Sequence, residues 1–541
     1  MSNIRRNLIY AAINKAWSLI DYNIHGDLHK EHEFIQQTIL ADNYLTTDEK
    51  NEAIRLRNKG YDRERILLNN GTRRICENCN QECLAITYCE YCVQNYLKAK
   101  FSNWTSGNND IDNLIQKCQV ESLTPNMIIE WIPYNNLQNI EYLTKGGFSK
   151  IYIATWIDGG YEEWDSENQQ LQRIGDQNVI LKELENIENA NQNWFEEAKS
   201  HLTISNKHQE IVQCYGLTQN PSNGNYMLVI DKQDTNLREY LQQNNNQLTW
   251  VEKIEIIYEI IDAIFYIHNE SSIHRDLHSG NILYSQLNST WSISDLGFCG
   301  PADKPSTSIY GNLPYIAPEI INGKEYTFKS DIYSIGMLMW EISSGQPPFN
   351  NHEHDYDLAL KIINGMRPKM ISEVPLKYKN LMEQCWDADP LERPNVYKLQ
   401  KNIEEIKLYY RNNPNELSQL KAKIDKEANY TNTSKEQEAF HSKLYDFNIP
   451  KNIDDFGQSS NQNNKRNSNV IEVDIQNNYY RDTIQQPQTG DIDDEVEIYN
   501  NPNLHSEEQD ELEIPDDDDE YNNPNLHSEE QEEFEIPNEG F

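Results

Sequence analysis

The chain has 541 residues, with 47 Lys plus Arg against 87 Asp plus Glu and a formal net charge of −40. That length exceeds one ordinary domain, and the acidity argues against broad binding to nucleic acid or to anionic membranes. No run of about 18 apolar residues occurs, so no membrane span is expected.

The charge is unevenly spread. From Asp491 onward there are 21 acidic residues and no Lys or Arg, more than half of the whole excess. The opening "MSNIRRNLIYAAINKAWSLI" matches a secretion signal poorly and an amphipathic helix better. Helical spacing of Leu, Ile, Tyr and Trp continues through "DEKNEAIRLRNKGYDRERILLNNG", which predicts two or three helices within an N-terminal helical region, 1–75.

Five of the nine cysteines crowd into residues 76–92. With no export signal, reduced thiols are expected, and such a cluster reads as a metal site before it reads as disulfides. In "ICENCNQECLAITYCEYC" the pairs Cys76-x2-Cys79 and Cys89-x2-Cys92 lie nine residues apart. Two such pairs suit tetrahedral Zn²⁺ in a structural role, because four thiolates leave no open position for catalysis. Cys83 is an extra thiol able to replace one ligand, and free thiols are the alternative reading. Few basic residues and no aromatic platform flank the cluster, so a folding or protein-contact role is preferred to nucleic-acid reading. Cys118, Cys214, Cys299 and Cys385 are isolated. Residues 93–136, with the amphipathic run "FSNWTSGNNDIDNLIQKCQ", read as a linker and helical region.

From about Ile140 the texture becomes β-rich ("KIYIATW", "NVILKEL", "IVQCYGL", "YMLVIDK") around one helical stretch near 194–204. After Asn236 long helical patterns take over. A small sheet-rich lobe followed by a larger helical lobe is an α+β arrangement with a cleft between them.

Polar residues in this region fall in an order suited to holding a magnesium-bound triphosphate beside a hydroxyl. A candidate phosphate loop comprises Leu143, Thr144, Lys145, Gly146, Gly147, Phe148, Ser149, Lys150 and Ile151. Its two glycines let backbone N–H groups approach phosphate oxygens, although a glycine pair alone is usually just a turn. Thr144 and Ser149 stand where a G-x-G-x-x-G loop has its first and third glycines. Lys182 of "NVILKEL" is expected to hold phosphates, with Ile180 over the adenine, and the turn before this strand carries the insertion "DGGYEEWDSENQQLQRIGDQ". Glu197 is its expected carboxylate partner, since Ala198 and Leu202 then pack inward; Glu196 is the runner-up. In "MLVIDKQDTNLREYL" Ile230 backs the adenine pocket, and the backbones of Asp231 and Gln233 meet the adenine edge.

The stretch "SSIHRDLHSGNILYS" supplies Asp276, to orient the attacking hydroxyl or accept its proton, and Asn281, a magnesium ligand, with Leu283 completing the nucleotide set. His274 reads as a structural ring. In "WSISDLGFCG" Asp295 is the second magnesium ligand, and an aspartate before glycine is otherwise a turn former. Farther on, Glu319 is expected to pair with Arg393, and Asp331 to cap its helix and bond the catalytic-loop backbone.

Taken together, residues 137–408 resemble the protein-kinase family. "DLGF", "GNLPYIAPE" and "CWDADPLERP" are similar to its tyrosine-kinase-like branch, particularly to an expanded fungal group. The resemblance implies a two-lobed kinase fold, ATP and Mg²⁺ as cofactors, and protein substrates; the competing reading is a pseudokinase scaffold. His278 stands where serine/threonine kinases carry a lysine, and the tyrosine-kinase form of the loop is absent, so Ser/Thr is preferred over dual specificity. Phosphorylation at Ser306, Thr307, Ser308 or Tyr310 is expected to order the loop between Asp295 and Glu319 by pairing with Arg275, the alternative being a loop ordered without it.

Beyond about Asn412 the chain turns Asn-, Gln- and charge-rich, and "YNNPNLHSEEQ" occurs at 499–509 and again at 521–531. Residues 409–541 are expected to be a disordered acidic tail, passive by default. The alternatives are a basic partner or occupation of the domain's own substrate groove. The expected location is cytoplasmic, with the nucleus as alternative.

Overall fold

The computed structural model describes residues 4–21, 24–145, 149–184, 194–301, 309–371, 374–413, 416–417 and 442–445. At the N-terminus α1 (Arg6–Ser18), α2 (Leu28–Ala41) and α3 (Thr47–Leu67) bury Ile9, Ala16, Ile35, Ile39 and Ala53 against one another. Reciprocal capping between Thr46 and Glu49 sets the start of α3. The short strands β1 (Arg74–Ile75) and β2 (Glu82–Cys83) then precede α4 (Glu90–Lys98). Asp62 of α3 reaches the segment between β2 and α4 and accepts from the backbone N–H groups of Ile86 and Thr87, at 2.6 and 2.9 Å.

Of residues 93–136, expected as a linker and helical region, Val93 and Leu97 pack with the cysteine module, and the rest supplies a helix and an edge strand to the sheet lobe. After α5 (Asn109–Glu121) comes β3 (Glu130–Trp131), followed by β4 (Leu137–Lys145), β5 (Lys150–Trp156), the hairpin β6 (Tyr161–Asp165) and β7 (Gln170–Arg173), then β8 (Gln177–Glu183), α6 (Trp194–Ile204), β9 (Cys214–Gln219) and β10 (Tyr226–Asp231). The six-stranded sheet runs β3-β9-β10-β8-β5-β4, so β3 adds an edge strand upstream of the predicted boundary at 137. Ile111, Ile115 and Cys118 of α5 pack in one cluster with Ala198 and Leu202 of α6. The β3–β9 pairing is parallel and depends on Gly216, whose φ is +145° and whose added Cβ would fall 1.8 Å from the Glu130 carbonyl oxygen. A two-residue strand is too short to announce itself by periodicity.

The insertion forms the β6–β7 hairpin and docks on the cysteine module. Trp164 and Leu171 share a core with Cys76, Cys83, Cys89 and Cys92. Arg55 of α3 bonds Glu162 and Glu163 at 3.1 and 2.8 Å. Tyr88 and Trp164 lie beside the cysteines as buried members of that core.

The helical lobe contains β11 (Thr235–Asn236), α7 (Leu237–Asn244), α8 (Trp250–Asn269), β12 (Ser272–Ile273), β13 (Ile282–Ser285), β14 (Thr290–Ile293), β15 (Gly300–Pro301), β16 (Ile309–Gly311), α9 (Pro318–Ile321), α10 (Phe328–Ser344), α11 (Tyr356–Ile363), α12 (Leu376–Cys385) and α13 (Val396–Asn412). Apolar faces of α8, α10 and α13 (Ile257, Ile261 and Ile264; Met337 and Leu338; Leu399 and Ile403) form its core. Among the described residues no helix is long and apolar enough to cross a membrane.

Two expectations about the tail need correction. Helix α13 continues to Asn412, past the predicted boundary at 408, because Ile406 and Tyr410 keep its inward stripe. Within the segment expected to be disordered, β17 (Lys443–Tyr445) pairs antiparallel with β16. The two "YNNPNLHSEEQ" copies and the acidic run lie outside the described residues.

Candidate active site

Strand alternation delivers the lysine. Val179 and Leu181 point into the sheet-lobe core with Trp156 and Val229, so Ile180 and Lys182 take the opposite face. The register sets Ile180 opposite Ile230 on β10 and Lys182 opposite Ile151 on β5. Lys182 Nζ lies 2.7 Å from Glu197 of α6 and 2.5 Å from Asp295. Glu196 instead faces outward beside Lys199. Burial disfavours the charge on Lys182, but Asp295 and Glu197 outweigh it and hold its pKa above the ordinary lysine range. Burial likewise opposes ionisation of Asp295, and Lys182 overrides it, keeping the carboxyl well below the usual range.

Asp295 itself sits at φ +56°, a left-handed conformation, and accepts from the Gly297 N–H at 3.2 Å. The next N–H, of Leu296, donates to His201 Nε2 at 3.1 Å. Burial, then the neighbouring Lys182, depresses His201 to about 3, so it is a neutral acceptor. Sequence reasoning missed His201. Its signal was the four-residue spacing from Glu197 on one helix face.

Asp276 is buried, and that burial, reinforced by the nearby Asp295, raises it to about 8. Asn281 Nδ2 donates to the Asp276 carbonyl at 2.9 Å, which leaves the amide oxygen as the hard donor suited to a cation. His274 is fully buried and bonds the Ser294 carbonyl at 3.2 Å through Nε2, while its Nδ1 accepts from the Asp276 N–H at 3.3 Å. Asp331 does not cap α10, a role taken by Thr327. It accepts from the N–H groups of His274 and Arg275 at 2.8 and 3.0 Å and from His268 Nε2 at 2.9 Å. These bonds hold Arg275 at φ +70°.

Burial opposes the Asp331 charge, yet His268 and the other donors win and lower its pKa. A depressed carboxylate adds stability above its unfolded pKa, and that stability is lost as pH falls through the folded value. Asp331→Asn is therefore expected to lower the unfolding temperature at pH 7, with the gap to the parent chain narrowing below its reference value of 3.8. Thermal unfolding across a pH series measures this.

Ile151, Ile180, Ile230 and Leu283, expected to line the nucleotide pocket, are half-buried apolar side chains. Thr144 pairs with Ile151 and Lys145 with Lys150 across the β4–β5 hairpin, while Leu143 is exposed and Ser149 half-buried. Gly146, Gly147 and Phe148 lie outside the described residues, as do Ser306, Thr307 and Ser308. The Asp231 N–H donates to the Gln213 carbonyl at 2.9 Å, and the Asp231 side chain is bonded to Tyr215 and Gln233. Tyr310, grouped with the loop hydroxyls, is buried in β16. The structure adds a residue that no motif marked: Ser442, whose Oγ lies 2.9 Å from Asp276 Oδ1 and 2.9 Å from His278 Nε2.

In the cysteine module, Cys76, Cys79, Cys89 and Cys92 bring their sulfurs within 4.8 Å of one another. Cys76 and Cys92 are 3.7 Å apart and Cys79 and Cys89 3.6 Å. A tetrahedron of thiolates about 2.3 Å from zinc has edges of about 3.8 Å, so this donor set fits the ion. Cys83 turns away toward the Arg74 carbonyl, at 3.4 Å.

A sheet lobe joined to a helical lobe, with a lysine held between two acids, defines a two-lobed phosphotransferase fold. Residues 137–403 match the family model for protein tyrosine and serine/threonine kinases, and this part of the chain is a protein kinase domain. Similar proteins include the dual specificity protein kinase zakA of Dictyostelium discoideum, 30% identical over 207 residues that cover 35% of this chain and 26% of that one. The dual serine/threonine and tyrosine protein kinase of Homo sapiens is 30% identical over 206 residues, 37% of this chain and 22% of its own. The probable serine/threonine-protein kinase pats1 of Dictyostelium discoideum is 25% identical over 296 residues, 51% of this chain and 9% of its own. The chain thus spans about a quarter or less of the length of these relatives.

Proposed function

We propose that the chain is an active protein kinase of the tyrosine-kinase-like branch, transferring the γ-phosphoryl group of ATP to serine or threonine hydroxyls of proteins. The observation that carries this reading is the ion-pair chain Glu197–Lys182–Asp295, near enough to Asp276 for both of its neighbours Asp295 and Lys182 to act on that carboxyl's charge. Lys182 would hold phosphate oxygens and Asp276 would orient the acceptor hydroxyl and take its proton. Asn281 and Asp295 are the residues to hold magnesium, which supplies neutralisation of phosphate charge. Ile151, Ile180, Ile230 and Leu283 offer the apolar walls for the base. The likeness to an expanded fungal group rests on "GNLPYIAPE" and its neighbouring motifs. A cytoplasmic location belongs to the same reading, supported by the reduced thiol cluster.

The competing reading is a silent scaffold. A peptide-array assay of the purified chain beside Lys182→Met separates the two. Transfer by the parent chain to serine or threonine peptides, lost by about 10²-fold or more in the variant, is expected. A chain that binds magnesium nucleotide but phosphorylates no peptide sinks the proposal.

The cysteine module carries a second proposal, structural zinc held by Cys76, Cys79, Cys89 and Cys92, supported by the sulfur spacing. About one zinc per chain is expected by metal analysis, and a chelator should melt the cysteine module before the kinase domain unfolds. Absence of bound metal in chain purified without chelator counts against it.

A further inference from the structure

We infer that Ser442 is a substrate of the chain's own active site, presented in cis by the segment Ser442–Tyr445. This inference rests on the kinase reading above and adds a modification site and a mode of substrate binding to it.

Three observations meet at one hydroxyl. First, β17 adds to β16 by backbone pairing, with Gly311 opposite Lys443, Tyr310 opposite Leu444 and Ile309 opposite Tyr445. An extended peptide added to a strand edge is a general mode of peptide capture. Second, this pairing sets Ser442, the residue just before the strand, with its Oγ 2.9 Å from Asp276 Oδ1. Third, the proton positions are determined by the surroundings. The Gly280 N–H donates to His278 Nδ1 at 3.1 Å, so the ring's proton is on Nε2, which donates to Ser442 Oγ at 2.9 Å. The serine proton is therefore left to point at Asp276, the geometry an acceptor hydroxyl needs.

Neighbouring residues are shaped around the segment. Gly311 has φ +132°, and an added Cβ would lie 3.2 Å from Asp276 Oδ1, the atom that receives Ser442. Lys443 Nζ donates to the His354 carbonyl at 3.3 Å, and Tyr445 packs against the helical-lobe core. Only 30 positions separate Ser442 from Asn412, the end of α13, so the segment is tethered at high effective concentration.

The step balances without a further reagent beyond the nucleoside triphosphate. The bond from the β–γ bridging oxygen to the γ-phosphorus breaks, and Ser442 Oγ bonds to that phosphorus. The hydroxyl proton passes to Asp276 and the diphosphate leaves. A phosphate on Ser442 brings added negative charge into a buried site where the ionised Asp295 already acts on Asp276, so the segment is expected to leave and open the groove.

The test uses the full chain with ATP and magnesium, phosphosite mapping, and the peptide AFHSKLYDFN (residues 439–448) as an added substrate. The expected result is phosphate on Ser442 that accumulates at the same fractional rate over about a hundredfold dilution, as an intramolecular step requires. A variant with residues 442–445 replaced by glycines is expected to show an apparent KM for the peptide lower by about tenfold, because the tethered competitor is gone. Peptide phosphorylated while Ser442 stays unmodified overturns this inference and leaves the kinase reading intact. A lower KM in the glycine variant with no phosphate on Ser442 also overturns it, making the segment an inhibitor only. Failure of every form to phosphorylate either serine or peptide overturns both readings.

Discussion

Replacing Asp276 by asparagine is expected to lower phosphoryl transfer by about 10²–10⁴-fold, the range that a positioned general base contributes. The side chain is nearly isosteric, so the loop that carries it should keep its shape. Its stability effect should run the other way. Asp276 is buried beside Asp295, and its carboxyl is raised to about 8, so its ionised form is unfavourable in the folded chain. A neutral amide removes that conflict, and the unfolding temperature of Asp276→Asn should equal or exceed the parent's. Nucleotide affinity by titration calorimetry should be retained, since Lys182 and its partners are untouched. Rapid transfer by this variant would remove Asp276 from the chemistry.

The largest stability effect is expected at Arg393. Its guanidinium meets Glu319 in a fork at 2.6 and 2.8 Å and also bonds the carbonyls of Asp387 and Lys329, at 2.9 and 2.8 Å. Arg393 is 1% exposed and Glu319 8%, so neither charge can turn to water if the other is lost. Arg393→Ala should therefore cost about 3–5 kcal/mol in denaturant unfolding, chiefly from the stranded glutamate. The double variant Glu319→Leu with Arg393→Met should cost clearly less, because no buried charge remains. If the single variant unfolded like the parent chain, the fork would be a weak contact despite its geometry.

Much of the kinase domain was legible because its parts are local. A strand's two-residue period assigns Lys182 and Ile180 to one face without any knowledge of neighbours. A helix's periodicity likewise separates Glu197 from Glu196. The pairing of Glu319 with Arg393 was expected from the two short motifs "GNLPYIAPE" and "CWDADPLERP". Less legible were the features that depend on partners far along the chain. Within 93–136 the helix was legible but the strand was not, because β3 spans two residues and only Gly216 on a distant strand shows why it pairs there. The β6–β7 insertion reads as a loop; its Trp164 finds a core only when the cysteine module is placed beside it.

By itself the sequence determined the order of chemistry-bearing residues, the two-lobed class of the domain and the cysteine pairs, since each rests on spacing within a few turns of backbone. Tertiary structure alone decided that Asp331 leaves the end of its own helix to Thr327, that His201 supports the residue after Asp295, and that a serine from the polar tail reaches Asp276. The physical reason is the same in each case. Hydrogen bonds and burial are satisfied between surfaces, and which surfaces meet is set by the packing of the whole chain rather than by any one stretch of it.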